Sequence, residues 1–133
     1  MFGALDTSTS GLVAQRTRMD TIAANLANSS TVTTDGVTNS PFQRRIALMT
    51  TGDGRGNQDG VHVAEIMLDP APFRQRYQPS HPMANDDGYV SYPNIDSIVE
   101  QINALEAARS YEANITAAEA TKRMMQSSLS LLS

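Results

Sequence analysis

Cysteine and tryptophan are absent from this chain of 133 residues, and lysine occurs once, at Lys122. Without cysteine there are no disulfides and no thiolate metal ligands, and oxidising and reducing compartments suit the chain equally. Aromatic residues are few, three Phe and four Tyr, and much of the 40% hydrophobic content is alanine. A chain of this length has room for one domain, and such a domain ordinarily buries most of the apolar surface of its unfolded chain. This one is short of large side chains, so partner surfaces are expected to supply burial that a monomer cannot. The nine arginines form no basic stripe and the net charge is −4, which gives nucleic-acid binding little support. No apolar run approaches the roughly 20 residues of a membrane span. The opening MFGALDTSTSGLVAQRTRMD has no basic start followed by a long apolar run, so it does not read as a cleavable secretory signal.

What is present falls into three parts. Leu5 to Asn28 reads as helix, with Leu5, Leu12, Met19 and Leu26 spaced by sevens and Ile22 between the last two. That is a coiled-coil type of stripe, weakened by polar Ser8 and Gln15 at its other seam positions. Gly11 inside it costs about 1 kcal/mol relative to alanine. The middle, Ser29 to Pro93, holds all six prolines and six of the eight glycines. PFQRRIALMT and GVHVAEIML are short strand candidates around the loop TGDGRGNQDG, which suggests a small β unit with long loops. DPAPFRQRYQPSHP is too rich in proline for a central strand. From Asn94 onward there is no Gly or Pro, and Ile95, Ile98, Ile102, Leu105, Ala108, Tyr111, Ile115, Ala118, Met125, Leu129 and Leu132 recur at steps that suggest one helical face. Asn94 is one candidate cap; Ser97 with Glu100 as a capping box is the other.

The predicted fold class is α+β. Residues 1–30 and 94–133 form a helical part, its two long terminal helices paired as an antiparallel, coiled-coil-like hairpin. Residues 31–93 form a small β-rich, loop-rich outer segment. Leu5, Leu12, Met19, Ile22 and Leu26 on the first helix, and Ile98, Ile102, Leu105, Tyr111, Ile115, Met125 and Leu129 on the second, are the expected seam for helix pairing and assembly. Neither stripe is strong, and isolated amphipathic helices draw most of their stability from packing. Alone, both ends are therefore expected to be largely disordered.

Candidate chemistry is thin. Acid–base carboxylates of glycosidases face each other across a cleft, whereas adjacent Asp86-Asp87 followed by Gly88 reads as a turn. His62 and His81 have no second ligand at metal spacing. The loop GDGRGNQDG lacks the ending of a phosphate-binding loop, and as a calcium loop it would place Arg55 at a ligand position. No serine sits in a G-x-S-x-G elbow, and Met19, Met124 and Met125 suit helix packing. No catalytic, metal or cofactor site is expected.

Ser10-Gly11-Leu12, Arg18-Met19, Ile22-Ala23 and Asn25-Leu26-Ala27-Asn28 resemble the N-terminal signature of bacterial flagellar axial proteins, the rod and hook group. Asp69-Pro70, Pro72-Phe73, Tyr77, Pro79, His81-Pro82, Gly88-Tyr89-Val90, Tyr92-Pro93-Asn94 and the run Ala108-Arg109-Ser110-Tyr111-Glu112-Ala113-Asn114 resemble the proximal rod members of that family. The resemblance implies a structural rod subunit, exported unfolded by the flagellar type III apparatus without a cleaved signal and assembled in the periplasm to carry torque. Its implied partners are copies of itself, other rod proteins, the junction protein and inner-membrane ring at one end, and distal rod subunits at the other. Arg16, Arg18, Glu106, Arg109, Glu112, Glu119 and Arg123 are then candidates for setting register, although solvated pairs contribute only a few tenths of a kcal/mol. Alternatives are another rod or junction subunit, or a peptidoglycan-remodelling enzyme using Asp86 and Asp87.

Overall fold

No proline interrupts residues 2–27 or 97–132, and each stretch runs as one helix in the computed structural model, which describes residues 2–132. The element order is α1 (Phe2–Ala27), β1 (Arg45–Thr51), β2 (Val61–Leu68), β3 (Arg74–Tyr77), β4 (Tyr89–Tyr92) and α2 (Ser97–Leu132). This is the expected α+β arrangement, two long helices around a small β insert. Among the described residues no helix is long and apolar enough to cross a membrane.

The helices run antiparallel. Arg18 meets Glu106 at 3.5 Å, Asn25 meets Glu100 at 3.3 Å, and a Cβ built at Gly11 would lie 2.6 Å from Asn114 Nδ2. The paired residue numbers sum to about 125 at each level, as an antiparallel register requires. The closest positions are small: Gly11, Ala14 and Ala107 are buried. Gly11 is therefore a place of close approach, and its helix-propensity cost accompanies that contact.

The face that α2 turns toward α1 differs from the expected single stripe. It consists of Glu100, Asn103, Ala104, Ala107, Ala108, Tyr111, Asn114, Ala118, Thr121 and Met125, all buried or half-buried. Ile98 and Ile102 are 70% and 60% exposed, and Leu105 and Ile115 are exposed too. The reason is the repeated three-residue step. From Ile102 to Tyr111 the chain turns about two and a half times at 3.6 residues per turn, so these two side chains point to opposite sides. Leu129 returns to the Tyr111 side, but past the level of Phe2 in the register, and is 66% exposed. On α1, Ile22 is buried and Leu5, Leu12, Met19 and Leu26 are half-buried.

Both proposed caps of α2 give way to Asp96. Its Oδ1 accepts from the backbone N–H of Ile98 at 2.9 Å and of Val99 at 3.4 Å. Glu100 is turned into the molecule instead of back to the helix start. Asp96→Ala is expected to lower stability by about 1 kcal/mol, the usual worth of such a cap, read by urea denaturation of the purified protein.

β1 and β2 pair antiparallel from Arg45↔Leu68 to Thr51↔Val61, with a bulge between Leu48 and Met49, and both pack on α1. The loop between them is anchored on α1, where Ser10 Oγ accepts from Val61 N at 3.1 Å. Asp53 organises that loop by accepting from Arg55 N, which holds its carboxyl below the ordinary value. His62 closes its base: Nδ1 donates to Gly52 O at 2.8 Å. Asp35 organises a second loop, and the Thr38 hydroxyl at 2.6 Å is the largest cause of its strongly lowered carboxyl pKa. A second ribbon, β3 with β4, pairs Arg74↔Tyr92 through Tyr77↔Tyr89. The proline-rich stretch thus supplies a four-residue strand of a two-stranded ribbon, where proline on either side breaks no further ladder.

Candidate assembly surface

Residues far apart in sequence converge where both helices meet the insert. Asn25, in the last turn of α1, is fixed by the main chain of Arg45: its Oδ1 accepts from Arg45 N at 2.9 Å and its Nδ2 donates to Arg45 O at 2.8 Å. The same Nδ2 donates to Glu100 Oε2. Glu100 is 1% exposed, and its Oε1 accepts from Arg44 Nε at 2.6 Å. Arg44 continues to Asp69 Oδ2 at 3.3 Å, and Asp69 N donates to Arg44 O. Both Glu100 oxygens are thereby hydrogen-bonded, as buried polar groups require. One network ties α1, α2, the start of β1 and the end of β2.

Sequence reasoning placed Asn25 and Asp69 in the family motif but missed Arg44 and took Glu100 for a capping partner. A signal was available. Glu100 stands one and two turns before Ala104 and Ala107, so it is the lone acid on the small-residue face.

The stretch His81 to Asn94 is the joint between insert and α2, and the structure builds it as a turn. Asn85, not either aspartate, organises it: Asn85 Oδ1 accepts from Asp87 N at 3.1 Å and Tyr89 N at 2.8 Å. Gly88 takes φ +83° and its N–H donates to Asn85 O. Asp86 and Asp87 are both exposed. His81 Nδ1 accepts from Met83 N at 3.0 Å, a structural role. Gly88→Ala would set a Cβ 2.9 Å from Tyr77 Cε2 and 3.1 Å from Pro79 Cβ. With the left-handed backbone alone costing about 1–2 kcal/mol, a loss of at least that size is expected in chemical denaturation.

The remaining motif residues divide between brace and surface. Tyr92 donates its hydroxyl to Gln78 Oε1 at 2.6 Å and lies under Arg76. Tyr89 meets Tyr77 edge-on, ring centres 5.3 Å apart. Pro93 is buried, and Asn94 Oδ1 accepts from Arg74 Nε. Asn28 Nδ2 ends α1 by donating to Ala24 O. Pro70, Phe73 and Pro82 are exposed. On α2, Tyr111 and Asn114 face α1, while Arg109 and Glu112 are exposed. Of the charges considered for register, Arg18–Glu106 bridges the two helices and Arg123–Glu119 is an exposed pair within α2.

The described residues hold no group of three or more His, Cys, Asp or Glu able to hold a metal. What the surface does offer is Ile98, Ile102 and Leu105 turned outward on α2, and Leu129, Leu131 and Leu132 at its far end. Exposed large apolar side chains grouped in this way mark a contact surface.

Comparison with known proteins agrees in kind. Residues 5–33 match the family described as flagella basal body rod protein. Residues 86–131 match the family described as flagellar basal body rod FlgEFG protein C-terminal. The flagellar basal-body rod protein FlgC of Bacillus subtilis is 38% identical, over 98% of this chain and 97% of its own length. That of Aquifex aeolicus is 38% identical over 95% of this chain and 92% of its own. That of Salmonella typhimurium is 36% identical over 95% and 93%.

Proposed function

Because the chain belongs to the FlgC family of flagellar basal-body rod proteins, and so is a structural rod subunit and not an enzyme, we propose that its helices work chiefly between subunits. The supporting observation is the outward turn of Ile98, Ile102 and Leu105 on α2, which leaves the intramolecular seam to small and polar side chains. A rod is a helical stack, and helical stacks need one face of a subunit to meet a different face of the next. The outward stripe and the α2 end supply such faces, beside the half-buried Leu5, Leu12, Met19 and Leu26 of α1.

In this reading residues 1–30 and 94–133 form the rod-core part and 31–93 the outer part. The subunit occupies the proximal rod in the periplasm. It meets copies of itself, the junction protein and inner-membrane ring on one side and distal rod subunits on the other, after passage through the flagellar type III export apparatus. Torque crosses it through the buried network that joins α1, α2 and the insert. The deciding experiment locates the labelled chain in images of isolated basal bodies. Density in the proximal rod is expected; a position confined to the distal rod or hook would sink the placement.

The isolated subunit carries its own prediction. Amide exchange should be slowest where Asn25, Arg44 and Glu100 lock together and fastest toward residues 5–9 and 124–132. Equal, strong protection along the whole of α1 would contradict the dependence on neighbours.

A further inference from the structure

The β3–β4 ribbon is electrically lopsided. At one end a concavity of about 340 Å³ is lined by Ser29, Ser30, Arg74, Arg76, Tyr92 and Ser97, among others. Arg74 spends only its Nε, on Asn94 Oδ1 at 3.2 Å. The Arg76 guanidinium lies 4.8 Å from the centre of the Tyr92 ring. Among the described residues neither arginine pairs with a carboxylate. At the ribbon's other end, beyond Tyr77↔Tyr89, the turn raises two exposed aspartates, Asp86 and Asp87, also without an ion pair. Four residues at about 3.3 Å each keep the two ends apart, so the turn does not fill its own subunit's concavity.

Resting on the rod reading above, we propose that this ribbon carries a head-to-tail contact between copies of the chain: the Asp86–Asp87 turn of one copy seats in the Arg74–Arg76 concavity of the next. The chemistry is a guanidinium–carboxylate pairing, which rewards a defined approach because the fork can hold two oxygens at once. The acidic turn is already rigid, held by Asn85 and by Gly88 at positive φ, so little ordering cost attends its docking. Donor and acceptor lie on different surfaces, so the contact is heterologous, the kind that passes from copy to copy in a helical stack. Such rim charges chiefly set register and steer encounter, and add little raw affinity. A second copy is the occupant because the same molecule carries the complementary charges in the same unpaired state.

The absence of native cysteine makes the test clean. Ser30→Cys and Ser80→Cys chains, neither of which alters a proposed charge, are produced together in one strain lacking the native subunit, and isolated basal bodies are treated with a short bismaleimide. A species of twice the chain's mass is expected only when both variants are present. Arg76→Glu in the Ser30→Cys chain should abolish it, and Asp87→Arg added to the Ser80→Cys chain should restore it. Swimming cells whose basal bodies contain both variants but give no doubled species would overturn the contact while leaving the rod role intact. Linkage of either cysteine to a different rod protein would also overturn it. Absence of both chains from basal bodies would overturn the rod role itself.

Discussion

Glu100→Ala is expected to lower the stability of the isolated protein by about 3 kcal/mol, measured by urea denaturation. Breaking a buried ion pair from one side costs about 3–5 kcal/mol because the other charge is left uncompensated. The low end applies here because Arg44 is a quarter exposed and keeps Asp69 at 3.3 Å. Glu100→Gln separates charge from shape. Arg45 fixes the orientation of Asn25 through both its N–H and its C=O. Asn25 therefore cannot flip, and the new amide group would face its Nδ2 donor to donor. A loss of about 1–2 kcal/mol follows from leaving a buried donor unsatisfied. Replacing both partners, Arg44→Met with Glu100→Leu, should cost less than Glu100→Ala, as apolar replacement of buried pairs often does. If Glu100→Ala unfolds at the same urea concentration as the parent, the network is not what joins insert to helices.

Ile102→Asp and Leu129→Asp should have the opposite profile. Both side chains are mostly exposed in the subunit, so stability should move by no more than about 0.5 kcal/mol. Assembly should fail, because each buried isoleucine or leucine is worth about 1.5–3 kcal/mol and the new charge must lose its water in the same place. Cells are expected not to swim, with rods incomplete while the folded variant accumulates. Tyr111→Asp is the internal control, since Tyr111 faces α1 and its loss should show first in denaturation. Normal swimming with Ile102→Asp would remove the outward stripe from the assembly surface.

The helices and the hairpin between them were legible because nothing in residues 94–133 breaks a helix and the insert concentrates all six prolines. The facing of α2 was not. A seam of Ala104, Ala107, Asn114 and Thr121 gives no apolar signal, so the eye follows isoleucines and leucines that drift around the helix. The turn at Asp86–Asp87–Gly88 was legible from its glycine, but its organiser, Asn85, lay one position outside the motif. β3 and β4 were hidden by their length, four residues each, and by flanking prolines. The Arg44–Glu100 pair joins residues 56 apart in sequence, a separation that local patterns do not encode.

Among the described residues α2 is a 36-residue helix without glycine or proline, about 54 Å long at 1.5 Å per residue. It behaves as one strut with no built-in hinge. Its first turn is held by the Arg44–Glu100 pair and its far tip carries the exposed Leu129, Leu131 and Leu132, so a single unbroken rod links the clamped end of the subunit to its outermost leucines.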